Sequence, residues 1–283
     1  TPPCVDAVIA AAPSRVWIAM ADPNPQVAGR GIAKLREAGI AVEVGLMNSA
    51  AMELNRGFVS RMTQQRPWVT LKIAASLDGR TAMASGESRW ITSAEARADV
   101  HRLRAQAGAV LTGVGTVLAD DPQLSVRDLP FQVRQPDRIV LDTAARTPLQ
   151  AAVWQGEARR FWITAQPSAQ SVAGVECITV AREAEGGLSL TETLSSLAAR
   201  GVNEVLVEAG ARLAGAFLQA GLVDELIAYI APSLLGDAAR PFAQMPGLEH
   251  LAQRIALKFC DVRQVGPDLR LRLRPATGTQ GVC

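Results

Sequence analysis

Val205-Leu206-Val207-Glu208-Ala209-Gly210-Ala211-Arg212-Leu213-Ala214-Gly215-Ala216 is a short apolar run that ends on a carboxylate, then a glycine, then a helical stretch. A strand, a tight turn and a helix in that order form half of a strand–helix–strand unit, and such units build parallel sheets. Glu208 closes the strand with no local need for a charge. Gly210 opens the following helix, where unpaired backbone N–H groups and a partial positive charge suit an anion. Thr112-Gly113-Val114-Gly115-Thr116 repeats the pattern after the apolar run Ala109-Val110-Leu111. Neither is the dinucleotide fingerprint G-x-G-x-x-G or a P-loop, and each alone reads equally well as a plain tight turn. Two in one region point to a nucleotide.

Outward from this core the alternation continues. Strands are expected at Val69 to Ala75, Arg138 to Asp142, Arg160 to Thr164, Val175 to Val180 and Leu222 to Ile230, with a turn at Ser76-Leu77-Asp78-Gly79. Thr92 with Glu95 three residues on predicts a capping box for a helix reaching Ala107, and Leu190 to Ala199 is a helix ended by Gly201. Leu269, Leu271 and Leu273 alternate with Arg270, Arg272 and Arg274, which predicts an antiparallel edge strand with its arginines in water. Nearer the start, Val5 to Ala12 is helical, Arg15 to Met20 reads as a buried strand, Gly31 to Glu37 as a helix and Ile40 to Val44 as a parallel strand. One helix is expected over Met47 to Met62, and Gln64-Gln65-Arg66-Pro67 is the best boundary. Residues 1–66 thus form a partial unit, 67–275 an α/β domain with a mostly parallel sheet, and 276–283 a loose tail.

The 283 residues suit about two domains of roughly 150 residues. They are 48% apolar and 20% charged, with a net charge of +2, so disorder and a general polyanion-binding face are excluded. No apolar run nears the roughly 18 residues of a membrane span. Cys4, Cys177, Cys260 and Cys283 are scattered, which argues against a disulfide framework and fits a reducing cytoplasm. His101 and His250 fit no metal spacing and read as structural. Lys72, inside an apolar strand, either faces solvent or serves a site, and from pattern alone the solvent face is favoured slightly. Asp120-Asp121-Pro122 reads as a turn, and Arg104 and Arg127 as surface arginines able to grip a phosphate. The residues alone lead to a nucleotide-using α/β enzyme.

Read together, the segments resemble the RibD family of bifunctional riboflavin-biosynthesis proteins. Thr1-Pro2-Pro3-Cys4, Asp22-Pro23-Asn24-Pro25 and Gly45-Leu46-Met47 look like the back half of its deaminase domain. Leu71-Lys72, Ala74-Ala75-Ser76-Leu77-Asp78-Gly79-Arg80, Ser88-Arg89-Trp90-Ile91-Thr92, Thr116 to Pro122, Val207-Glu208-Ala209-Gly210 and Leu234-Leu235-Gly236 look like its reductase domain. The resemblance implies a dihydrofolate-reductase-like fold and NADPH-dependent reduction of the ribosyl group of 5-amino-6-(5-phosphoribosylamino)uracil, a small phosphorylated pyrimidine. It implies Ala74, Ser88, Trp90, Thr116, Asp120, Thr143 and Gly210, Ala211, Arg212, Leu213, Ala214, Gly215 and Ala216 at NADPH. It places Arg104, Leu124, Arg127 and Glu208 at the substrate. Lys72, Glu208 and Asp120 are the candidates for proton movement. A non-catalytic nucleotide-binding module of the same fold is the alternative. No nucleic-acid or membrane partner is expected, and a homo-oligomer is. The family's deaminase holds Zn²⁺ with one histidine and two cysteines. Here H-x-E occurs nowhere and Cys4 alone matches a ligand. The chain opens inside that motif without a methionine, so a longer parent is expected to carry the deaminase reaction.

Overall fold

The computed structural model describes residues 3–167, 170–183 and 186–276; the tail expected at 276–283, but for Ala276, and Thr1-Pro2 lie outside the described residues. A small unit comes first: α1 (Cys4–Ala11), β1 (Arg15–Ile18), α2 (Arg30–Glu37) and β2 (Ala41–Val44). β1 and β2 pair in parallel, Arg15 opposite Ala41 and Ile18 opposite Val44. Arg15 to Met20 is not buried as expected: Trp17 is 54% exposed, and only Leu35 and Ile40 of this unit are buried. Two strands with two helices are too few to cover a sheet. The helix expected at 47–62 is two, α3 (Asn48–Leu54) and α4 (Arg56–Gln64). Asn55 separates them. Its side-chain amide donates to the Ala51 carbonyl (2.8 Å), the local competition with helix bonding that makes asparagine a helix breaker.

The larger part runs β3 (Trp68–Ser76), β4 (Arg80–Ala82), α5 (Ala94–Gln106), β5 (Ala109–Gly113), α6 (Val114–Asp120), β6 (Asp137–Leu141), β7 (Arg160–Thr164), β8 (Val175–Thr179), α7 (Leu190–Ala199), β9 (Glu204–Glu208), α8 (Ala211–Gln219), β10 (Glu225–Ala231), β11 (Arg240–Pro241), β12 (Leu257–Val265) and β13 (Asp268–Pro275). Nine strands form one sheet in the order β12-β13-β10-β3-β9-β5-β6-β7-β8. All neighbours from β10 to β8 are parallel, and β13 and β12 add an antiparallel margin. The expected α/β class with a mostly parallel sheet is the one observed.

Alternation along the strands sorts the core onto two faces. Val69, Leu71, Ile73, Val205, Val207 and Leu111 pack against α7 and α8 through Leu194, Leu197, Ala214 and Phe217. Val110, Val140, Trp162 and Leu206 meet Val117 of α6, and Ile227 and Tyr229 meet Ala96 and Val100 of α5. The chain walks outward from β3 through β5 to β8, then returns to insert β9 between β3 and β5. α5 and α8 therefore flank the carboxyl ends of β3 and β9 from opposite faces. That is the topological switch point where open α/β sheets place ligands.

Three expectations need correcting. Ser93 caps α5 where Thr92 was expected, its hydroxyl accepting the Ala96 N–H (3.2 Å). The cap shifts by one, so Glu95 no longer sits at the box position, and Asp268 takes the Ser93 N–H instead (2.8 Å). β10 begins at Glu225, not Leu222. The sheet margin is β12, for which no strand was expected, and the arginines of β13 do not face water. Arg270 binds Asp99, while Arg272 and Arg274 bind Glu225. Among the described residues no helix is long and apolar enough to cross a membrane.

Candidate active site

Beyond the carboxyl ends of β3, β9, β5 and β6 lies an open cleft of about 2420 Å³. That exceeds the roughly 300–1,000 Å³ of a single-ligand pocket, so a dinucleotide and a second small molecule fit side by side. The basic side chains lining it outnumber the acidic ones eight to five among the described residues. Its chemistry therefore favours anions, although the chain as a whole is nearly neutral.

Glu208, the last residue of β9, and Lys72, midway along β3, are direct register partners, so both side chains leave the sheet on the face covered by α5. Lys72 does not take the solvent face that pattern favoured. The α5 residue Arg104 meets Glu208 in a bidentate pair, Nε to Oε1 at 2.5 Å and Nη2 to Oε2 at 2.9 Å, and its Nη1 donates to the Ser125 carbonyl at 3.0 Å. Burial alone would raise the Glu208 carboxyl, but Arg104, then Lys72 and His101, outweigh it and hold it below its ordinary value. Burial pushes the Lys72 ammonium down and Arg104 adds to that push, against the pull of Glu208. Among the described residues Lys72 makes no hydrogen bond and no ion pair. The site thus holds a fixed, ionised carboxylate beside a lysine whose proton burial holds less tightly than usual.

The first turn of α8 lines the same cleft. Gly210 caps the helix without a side-chain bond, and a Cβ there would meet nothing within 4 Å. The first-turn N–H groups of Ala211, Arg212 and Leu213 have no acceptor within the helix and line the cleft together with Ala216. A cofactor carrying phosphates fits this donor set. Ala214 and Gly215 correct the sequence reading: Ala214 packs in the core, and a Cβ on Gly215 would lie 1.8 Å from the Gln244 carbonyl oxygen. Gly215 is a close-packing glycine, turned away from the cleft.

Ala74, Ser88, Trp90, Thr116 and Thr143 line the cleft. Trp90 is 68% exposed, with the Arg97 guanidinium 4.3 Å from its ring centre. Asp120 stands at the mouth, where Arg89 Nη2 donates to its carbonyl at 3.1 Å, and it touches neither Lys72 nor Glu208. Leu124 has a left-handed backbone (φ 52°) and buries its side chain beside Val117 and Val140, so only its backbone is offered to a ligand. Arg127 reaches the cleft from the following turn. His101 was read as structural yet lines the cleft too. Arg97, His101 and Arg104 follow helical spacing of four and three and form one stripe of α5, a signal available in the sequence. Cys4 is exposed, and the described residues hold no group of three His, Cys, Asp or Glu side chains able to hold a metal. A lone thiol does not fit zinc.

The family model of the RibD C-terminal domain matches residues 67–271. The riboflavin biosynthesis protein RibD of Escherichia coli (strain K12) is 51% identical over 285 residues, spanning 96% of this chain and 77% of that protein. A solved structure of Acinetobacter baumannii RibD superposes with a TM-score of 0.90 at 44% identity, covering 98% of this chain and 77% of its own. A Thermotoga maritima structure, a diaminohydroxyphosphoribosylaminopyrimidine deaminase/5-amino-6-(5-phosphoribosylamino)uracil reductase, superposes at 0.85 with 32% identity, covering 98% of this chain and 75% of its own.

Proposed function

The chain belongs to the RibD family and is an enzyme of riboflavin biosynthesis, and from that premise we propose that its cleft reduces the ribosyl group of 5-amino-6-(5-phosphoribosylamino)uracil to ribityl with NADPH. The observation that carries this reading is the meeting of Lys72, Glu208 and Arg104 in the cleft that the open first turn of α8 also lines.

When bound, NADPH supplies the hydride that reduces the sugar's C1′. The N–H groups of Ala211, Arg212 and Leu213 hold its phosphates, with Trp90, Thr116 and Thr143 along the rest of it. Reduction also adds one proton, at the nitrogen or ring oxygen of the opened sugar. Lys72 is the group able to deliver it, because burial makes its ammonium a stronger acid than an ordinary lysine. Glu208 stays ionised and accepts from the sugar hydroxyls, while Arg104 holds it in place. Arg104 and Arg127 take the substrate's phosphate.

The proposal includes a cytoplasmic homo-oligomer, which a monomeric mass by light scattering would remove. Residues 1–66 are the back part of a deaminase domain in this reading, and no step is derived through zinc. The test of the central claim is loss of NADPH absorbance in the presence of the phosphoribosylaminouracil. Tight NADPH binding without oxidation would leave a nucleotide-binding module in place of a reductase.

A further inference from the structure

The turn from Gln123 to Asp128, which presents Leu124 and Arg127 to the cleft, has no regular structure of its own, and Leu124 and Asp128 take left-handed angles (φ 52° and 59°). Side chains hold it. Gln135 brackets Val126, its Oε1 accepting the Val126 N–H at 2.8 Å and its Nε2 donating to the Val126 carbonyl at 3.0 Å. Arg104 fixes the Ser125 carbonyl. The Arg127 N–H itself donates to Nδ1 of His101 at 3.2 Å. Of these three braces only the last depends on a protonation state near neutrality, since Nδ1 accepts only while the ring is neutral.

We propose that His101 is a positioning residue, which sets Arg127 for the phosphate of the substrate by accepting its backbone N–H, so that substrate affinity requires a neutral imidazole while cofactor affinity does not. The proposal rests on the reading of this cleft as a reductase site with Arg127 at the substrate phosphate. The charged groups facing His101 are Arg104 on its own helix, Arg127 and Asp128 from the turn, and Glu208 from β9. Burial first, then Arg104 and Arg127, hold the imidazole below its ordinary value against Asp128 and Glu208. The brace is therefore made at neutral pH and broken on acidification. Protonation replaces an acceptor with a donor opposite the Arg127 N–H and adds a cation between two arginines.

The test is steady-state kinetics from about pH 5 to about pH 8 on the wild type, His101→Ala, His101→Asn, His101→Gln and Arg127→Ala. His101→Ala should raise the KM for the phosphoribosylaminouracil about tenfold, the loss of one hydrogen bond, with kcat and the KM for NADPH within twofold. His101→Asn, whose amide oxygen stands near the Nδ1 position, should restore most of it, and His101→Gln should not. The phosphate of the substrate titrates in the same range, so the diagnostic is the difference: acid should raise KM more steeply in the wild type than in His101→Asn. Parallel profiles would overturn the proposal, as would equal losses in the Asn and Ala variants. If Arg127→Ala raises KM while His101→Ala does not, this proposal alone falls. If Arg127→Ala leaves KM unchanged, the assignment of Arg127 to the substrate falls first.

Discussion

The two ends of the central strands carry similar charged residues in opposite states of satisfaction. At the amino ends of β3, β9 and β10, Glu225 is 1% exposed and takes Arg272 Nε at 2.5 Å, Arg274 at 3.3 Å and Arg56 at 3.6 Å. Glu53 meets the same three arginines, Glu204 meets Arg56, and Trp68 lies against Arg56 and Arg274. Three carboxylates meet three guanidinium groups. At the carboxyl ends, Glu208 has one arginine and the neighbouring Lys72 has no hydrogen-bonding partner among the described residues. Burying a charge is costly unless it is paired, so the amino-end cluster is complete as it stands. The carboxyl-end cluster has interactions left over for a ligand. The difference separates a joint that fastens α3 and α4 to the sheet from a site that does chemistry.

The sharpest way to break that contrast is Lys72→Met. A half-buried ammonium with no ion pair opposes folding, so its removal should leave stability unchanged or higher, while NADPH oxidation falls by about 10²- to 10⁴-fold, the usual worth of general acid–base assistance. The pH dependence carries the same sign. The folded-state value of Lys72 lies below its ordinary 10.5, so between the two the unfolded chain binds the proton that the folded protein has lost. Stability contributed by this group is thus smallest below the lowered value and rises with pH towards 10.5. Urea unfolding at about pH 7 and about pH 10 should show that rise in the wild type and not in Lys72→Met. A variant that stays active but unfolds easily would place Lys72 with the structural cluster.

Glu225→Ala should do the reverse. It leaves Arg272 and Arg274 without their buried carboxylate, which costs about 3–5 kcal/mol of stability, while both KM values of the remaining folded enzyme stay within twofold. Acid should loosen this end as well. Burial alone would raise Glu53, but Arg274, Arg56 and Arg272 hold it below its ordinary 4.5, so its contribution is present above 4.5 and is lost as pH falls through the lowered value. Chemical denaturation with parallel kinetics checks both halves. A large shift in substrate KM would show the two ends to be coupled.

The parallel strands and both glycine turns were legible because fully buried strands read as apolar runs and each is followed by a helix. β12 was not. A register shift between Phe259 and Asp261 breaks its alternation, so period two is lost at the sheet margin. The arginines of β13 were misread because their partners Asp99, Glu53 and Glu225 come from remote segments, and periodicity reports a face without naming what covers it. Lys72 failed in the same way, since α5 turns an outward-looking position into a cleft wall. Glu208 was legible because a charge at a strand end has no local explanation. His101 was visible only as part of a helical stripe whose significance depends on where α5 lies.

Inside α8 the contrast between filled and open space recurs at two glycines, and it gives the smallest expected effect. Alanine is the better helix former by about 1 kcal/mol, so propensity alone favours Gly215→Ala. Yet its Cβ would lie 1.8 Å from the Gln244 carbonyl oxygen, and the Gln244 N–H is itself anchored to the Ala211 carbonyl at 2.9 Å. The backbone there cannot yield without breaking that bond, so overpacking should win, with a net loss of about 1–3 kcal/mol. Gly210→Ala meets no such obstacle, because its φ of −72° suits any residue and the space around it is open. Stability should change by less than about 0.5 kcal/mol. The added methyl instead stands where phosphates approach the first turn of α8, so the KM for NADPH should rise several-fold with substrate KM unchanged. Urea titration and cofactor kinetics on the two variants separate the outcomes. A Gly210→Ala enzyme with wild-type cofactor affinity would move the cofactor's phosphates away from this helix.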